Sequence, residues 1–225
     1  MNIFVKQSRR NILSAGLALV ATLGFAGGAQ AQDAAKLGPQ ELVSKVANDT
    51  LKDLDAHRAE YAKNKNKVRE LVDKNMLPYF DTAYSAQLVL AKHWRTATPE
   101  QRKRFVEAFY QSLLQNYGEA LLEFTPDRLR ILPFQGNPAD KVATVRTEVR
   151  RDNGSRVPVN YSLRQTDNGW KAYDVQIEGV SYVKSFRTDF GSEIGEKGLE
   201  AVIQRLESQV ASGTVKKPTA GAEAQ

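Results

Sequence analysis

The apolar rhythm of this chain changes at Pro126, and that change limits the fold more than any single residue does. Upstream, Phe105, Phe109, Leu113, Tyr117 and Leu121 recur every four residues, as on one broad stripe of an α-helix that Pro126 should stop. Downstream, "DRLRILPF", "KVATVRTEVRRD", "RVPVNYSLRQ" and "WKAYDVQIEG" alternate in twos. Asn-Gly pairs in "RDNGSR" and "TDNGW" separate the last three, the strongest short hairpin signal. The pattern predicts a four-stranded antiparallel meander. Pro158 cannot donate to a ladder and marks an edge, a bulge or a strand start. From Gly179 the helical period returns, with a break between Gly195 and Gly198. Helices grouped before and after one antiparallel sheet define an α+β fold, with the helices packed on one face of a curved sheet. Val157, Val159, Tyr161 and Leu163 share a face of one strand, and Tyr173, Val175 and Ile177 a face of the next. Such a face either closes a solid core or lines a hole that holds something apolar.

The helices ahead of the sheet carry their own punctuation. Pro39 opens a segment in which Leu42, Val43, Val46, Thr50, Leu51 and Leu54 form a stripe at helical spacing. "NKVRELVDKNMLPYF" gives a second helix, interrupted at Pro78, and "DTAYSAQLVLAKHW" a third. The long helix begins with Thr98 as cap, Pro99 at the first helical position and Gln101 completing a capping box.

The ends of the chain give an address. Lys6, Arg9 and Arg10 precede the apolar, glycine-rich "NILSAGLALVATLGFAGG", and Ala29 to Ala31 supply the small residues of a cleavage site. Residues 1–31 are expected to be a cleaved export signal, residues 32–210 one α+β domain, and 211–225 a polar, disordered tail. "SRRNIL" suits either the twin-arginine or the general secretory route. No cysteine follows the apolar stretch to carry a lipid anchor, so the mature chain is expected to be free and soluble outside the cytoplasm. Loss of the leader lowers the formal net charge from +6 to +3, a balance that calls for no nucleic-acid partner. Zero cysteines remove disulfides, thiolate catalysis and thiolate metal sites together.

Candidate chemistry is sparse. His57 and His93 are the only histidines, the first in a polar stretch and the second beside Trp94 near a helix end, and they have no zinc-type spacing. Asp174 is opposite in phase to Tyr173 and Val175; it reads as an outward strand residue, or as a general base in a conical fold. Asp81 reads as a helix cap. Gly191, Gly195 and Gly198 do not follow a strand as a phosphate loop requires. The run from Lys63 to Lys67, and Lys92, Arg95, Arg102, Lys103 and Arg104, read as solvated surface, or as sites that meet an anionic membrane, a phosphate or an acidic partner.

Two stretches carry a resemblance. "LPYFDTAYSAQLVLAKHWRTATPEQRKRFVEAFYQSLLQNYGEAL" and "GVSYVKSFRTDFGSEIGEKGLEAVIQRL" resemble the MlaC family, also called the toluene-tolerance or Ttg family, over nearly the whole mature chain. Departures are Ala91, where the family often has Gly, and Ser185-Phe186-Arg187, where it often has Asn-Tyr-Arg. The resemblance implies a periplasmic phospholipid carrier that is not an enzyme and has no metal or cofactor beyond its lipid cargo. The implied partners are an outer-membrane lipoprotein–porin complex and an inner-membrane ABC transporter with an MCE-domain subunit, in a pathway that maintains outer-membrane lipid asymmetry. It also implies that the apolar face lines a hole for acyl chains. Helical stripe and alternation then assign the lining to Phe109, Leu113, Tyr117 and Leu121, to Val145, Val149, Val159, Tyr161, Leu163, Val175 and Ile177 of the sheet, and to Val183, Phe186 and Phe190 on one side. The competing readings are a conical-fold isomerase or hydrolase, which needs an inward acid or base, and a module that binds hydrophobic peptides.

Overall fold

The computed structural model describes residues 36–137 and 139–213; the expected leader and nearly all of the expected tail lie outside them. Helix α1 (Pro39–Lys63) starts where the Gly38 N–H donates to Glu41 Oε2 at 2.9 Å with Pro39 at the first helical position. Asn64 caps α2 (Lys65–Asn75) by accepting from the Asn66 N–H, and Leu77–Tyr79 forms a 3₁₀ turn at Pro78. Asp81 caps α3 (Thr82–Leu90) through the Tyr84 N–H at 3.0 Å, as expected. The expected third helix is broken by Ala91, at φ 48° and ψ −114°, and resumes as the short α4 (Lys92–Thr96). Helix α5 (Pro99–Tyr117) has the reciprocal capping box: Thr98 Oγ1 accepts from the Gln101 N–H, and Gln101 Oε1 from the Thr98 N–H, both at 3.1 Å. It ends at Tyr117, well before Pro126, and continues as a 3₁₀ segment, Gly118–Glu123. Leu121 is therefore not on the long helix. The sheet follows as β1 (Leu129–Ile131), β2 (Val142–Arg150), β3 (Arg156–Thr166), β4 (Gly169–Ile177) and β5 (Val180–Ser181). Helices α6 (Tyr182–Lys197) and α7 (Leu199–Ser212) close the described chain, with Gly198 at φ 82° between them. The last helix thus enters the segment expected to be tail.

All neighbouring strands pair antiparallel in the order β1-β2-β3-β4-β5, a meander with a fifth, two-residue strand beyond the expected four. That strand is joined by Glu178 (φ 52°) and Gly179 (φ 84°), two left-handed residues as a tight hairpin needs. At the Asn-Gly turns only Gly154 and Gly169 are left-handed, and the asparagines are not. Pro158 lies in β3 opposite Glu148, just past the Val159–Ile177 pair where the β4 ladder stops. Its carbonyl accepts from the Glu178 N–H in the turn, so no β4 ladder partner lies opposite its missing donor. Between Ser162–Asp174 and Leu163–Ala172 the register shifts, leaving Tyr173 as the extra residue of a bulge. Tyr173 therefore does not continue the face of Val175 and Ile177. It packs edge-on against Tyr84 of α3, with ring centroids 5.2 Å apart.

Three apolar cores hold these elements. The largest joins α3, α5, α6 and α7 around Phe105, Phe109, Phe186 and Phe190, whose rings meet at centroid distances from 5.2 to 6.1 Å. Arg104 pairs with Glu200 and Glu207, and Arg205 with Glu193, along its outer edge. A second core packs Leu51, Leu54 and Tyr61 of α1 with Val68 and Leu71 of α2 and with Leu121, Leu122, Phe124 and Leu129. A third sets Leu42, Val43 and Val46 of α1 on Val145, Leu163, Trp170 and Tyr161 of the sheet.

Candidate functional site

The strand register defines one continuous inner face. Successive rows across it are Leu129–Val149–Val157, then Ile131–Thr147–Val159–Ile177, then Val145–Tyr161–Val175, then Ala143–Leu163–Ala172. Helix α1 crosses this face. Gln40 bonds to Leu132 and Phe134 beyond one end of β1, and Leu51 and Leu54 pack on Leu129 at the other. The rows differ in what covers them. Val145 and Leu163, both fully buried, are packed directly under α1. Val157 and Val159 are buried, and so is Val72 of α2, yet none of the three joins a packed core among the described residues. Thr147 is buried between them and donates its hydroxyl to the Val159 carbonyl at 2.8 Å. Tyr161 retains part of its surface, while the protein around it pushes its phenol pKa up by desolvation.

Aromatic residues stand at the Ile177 end of the face, where β5 leads into α6. Tyr182 meets Tyr117 edge-to-face at a centroid distance of 5.8 Å. The Tyr117 phenol is pushed up to about 12, first by burial and then by Tyr182 and Asp189 nearby. Burial also raises the Tyr182 phenol and the Asp189 carboxyl, whose Oδ2 is buried without a hydrogen-bond partner. On the opposite flank, between α1 and the edge strand β1, a groove of about 350 Å³ is lined by Asn48, Leu51, Lys52, Asp55, Pro126, Leu129 and Ile131. Leu129 and Ile131 belong to the inner face, so the groove reaches that face from outside.

The expected lining residues fall into three environments. Val145, Val149, Val159, Tyr161, Leu163, Val175 and Ile177 are brought together on the inner face. Phe109, Val183, Phe186 and Phe190 lie inside the packed aromatic core, and Leu113 and Tyr117 pack against it, only partly buried. Leu121 is placed apart from both, in the 3₁₀ segment against Leu51, Leu54 and Leu71. Thr50, Val72 and Val157 were not among the expected lining residues. Val157 shares the alternation of its strand and was legible there. Thr50 and Val72 become relevant only once α1 and α2 are folded over the sheet.

The titratable residues have structural occupations. Asp174 is not exposed on the sheet surface but buried, 6% accessible, where it accepts from the Ser181 hydroxyl at 2.6 Å and from the Val183 N–H at 3.0 Å. It fixes the start of α6 to β4. His57 lies on the exposed side of α1 and meets Asp53 at 2.9 Å. Asp53 also accepts from the Tyr61 hydroxyl at 2.5 Å and from Lys74 at 3.3 Å. The Tyr61 bond is the largest cause that holds the Asp53 carboxyl below its ordinary value, with Lys74 and His57 adding to it against desolvation. His93 lies in the short α4, and its Nε2 is buried without a partner. Among the described residues no group of three or more His, Asp or Glu stands close enough to hold a metal ion, and no helix is long and apolar enough to cross a membrane.

An open antiparallel meander with a bulged fourth strand, one apolar face turned inward, and helices before and after it defines a class of α+β proteins built around the inner face of their sheet. Within that class the chain belongs to the MlaC family: the model of the family described as MlaC protein matches residues 44–208. The toluene tolerance protein ttg2D of Pseudomonas putida is 32% identical over 161 residues, which span 71% of this chain and 74% of that protein. The intermembrane phospholipid transport system binding protein MlaC of Haemophilus influenzae is 22% identical over 176 residues, 77% of this chain and 82% of that one. A solved structure of a phospholipid-binding protein from Ralstonia solanacearum, in complex with a phospholipid, superposes with a TM-score of 0.73 at 27% identity, covering 79% of this chain and 99% of the other.

Proposed function

We propose that this protein is a periplasmic phospholipid carrier and not an enzyme. It takes lipid between an outer-membrane lipoprotein–porin complex and an inner-membrane ABC transporter with an MCE-domain subunit, and so maintains outer-membrane lipid asymmetry. Residues 1–31 act as the export signal and residues 32–210 as the lipid-binding domain. The acyl chains lie between the inner face of the sheet and α1 and α2, against Val157, Val159 and Val72. The head group stays at the groove between α1 and β1, where Lys52 offers a cation to the phosphate. The observation that carries this reading is the likeness to a protein solved with a phospholipid, in a chain whose buried Val72, Val157 and Val159 join no packed core among the described residues.

The physical task needs no catalyst. Two acyl chains carry about thirty methylenes, and at about 0.8 kcal/mol each their exposure to water costs on the order of 24 kcal/mol. An unassisted lipid does not cross an aqueous compartment against that barrier. A carrier that matches the bilayer as an apolar solvent removes most of it, and must not bind much more tightly than the bilayer if it is to release its cargo. The test is organic extraction of the purified protein followed by mass spectrometry. Phospholipid in near-stoichiometric amount is expected. Its repeated absence, with a small polar metabolite in its place, supports the isomerase or hydrolase reading instead.

A further inference from the structure

The apolar space of the proposed carrier has two hydroxyl groups on its walls that the protein leaves without partners. Thr50 is 5% accessible, and its Oγ1 is buried with no hydrogen bond. A helical threonine has an easy alternative in the carbonyl one turn back. Thr50 does not use it. Tyr161 is half-buried on the inner face, and its hydroxyl, which is not itself sealed from solvent, makes no hydrogen bond to a described residue. An unsatisfied buried hydroxyl such as that of Thr50 costs roughly 1–3 kcal/mol, so it points to a missing partner.

The two hydroxyls belong to facing walls. Val46 of α1 packs in the same core as Tyr161, and Thr50 is one helical turn further along the same stripe. One turn of helix advances about 5–6 Å and two residues of strand about 7 Å. Thr50 therefore stands over the sheet about one row beyond Tyr161, near Thr147 and Val159, and within two residues of Lys52 in the outer groove. The walls thus offer a cation at the groove and two free hydroxyl donors among the apolar side chains of the inner face. A glycerophospholipid presents the matching groups: phosphate, ester carbonyls, and hydrocarbon.

We propose that Thr50 and Tyr161 donate hydrogen bonds to the ester carbonyls of a bound diacyl lipid, and that they make this protein selective for ester-linked over ether-linked chains. This rests on the carrier reading. An ether analogue has the same phosphate and the same hydrocarbon but lacks the carbonyl oxygens, so it fills the space and leaves both donors unpaired.

The test loads the full mature protein from an equimolar mixture of diester and diether phosphatidylglycerol of identical chains, and measures the bound ratio by mass spectrometry. The wild type is expected to favour the diester by about three- to tenfold, the span of one or two net hydrogen bonds. Tyr161→Phe and Thr50→Val keep side-chain size and each should shift the ratio toward one, while the double variant should abolish the preference. Neither variant should lower the melting temperature of the lipid-free protein, because each removes a group that has no partner there. Equal loading of both lipids by the wild type overturns the proposal and leaves the carrier reading intact. A preference unchanged in the double variant also overturns it. Failure to load either lipid overturns the carrier reading itself, and the proposal with it.

Discussion

Replacing Val159 by Arg separates a filled core from a cargo space. Val159 is 8% accessible and pairs with Thr147 and Ile177 in the middle of the inner face. If its surroundings were close-packed protein, the variant would bury an unpaired charge, at a cost of about 3–5 kcal/mol or more. For a domain of this size each kcal/mol lowers Tm by roughly 2–4 °C, so the protein would melt about 6–20 °C lower or fail to fold. If the side chain borders a space that opens at the α1–β1 groove, the guanidinium can extend toward water. The loss is then about the burial of one valine, roughly 1.5–2 kcal/mol, and Tm falls by only about 3–8 °C. The guanidinium meanwhile occupies the place of the acyl chains. The assay pairs thermal melting with phospholipid content by mass spectrometry, and Phe109→Arg in the aromatic core serves as control for a filled site. A folded Val159→Arg protein with an empty extract is expected, beside an unfolded control. Normal lipid content in a folded variant would place Val159 outside the space, and unfolding of both variants alike would refute the distinction drawn here between the two regions.

Two further outcomes follow from local geometry. Ala91→Gly should raise stability by roughly 0.5–1.5 kcal/mol in chemical denaturation, because relief of a strained positive φ exceeds the added entropy of the unfolded chain, whereas Ala56→Gly on the exposed side of α1 should lower it by about 1 kcal/mol; the same sign at both positions would count against the Ala91 conformation. Asp53→Asn should be less stable than the wild type at neutral pH. The Asp53 carboxyl is held below its unfolded value near 3.8, so its contribution is present above that pH and lost as pH falls through the folded value. The gap in Tm between the two proteins should close at low pH, and a gap independent of pH would assign the bonds to Asp53 no such role.

Much of the architecture was legible because it is written locally. The capping box at Thr98 and Gln101, the Asp81 cap and the change of period after Pro126 each depend on residues close in sequence. What was missed depends on contacts that sequence spacing does not reveal. The long helix gives way to a 3₁₀ segment at Gly118, beside α2, where a Cβ on Gly118 would lie in ordinary contact 3.8 Å from Val68 Cγ1. The fifth strand was hidden because its turn places Glu178, and not the usual Asn, Asp or Gly, in the first left-handed position. Tyr173 alternated correctly with Val175 in sequence, and only the bulge removes it from the face. That Val145, Val149, Val159, Tyr161, Leu163, Val175 and Ile177 share one face was readable from strand alternation. That Phe109, Phe186 and Phe190 pack into one core was not, since a stripe that lines a space and a stripe that fills a core have the same period.

The aromatic core has a consequence for how the chain is made. It takes Phe105 and Phe109 from before the sheet and Phe186 and Phe190 from after it. A chain that leaves the ribosome N terminus first therefore carries one half of its largest core without the other until the entire meander has been synthesised. Local hairpins can form in the interval, but α5 has only α3 to bury its phenylalanines against. The core closes only when α6 and α7 emerge, and the chain folds when its last helices reach the first.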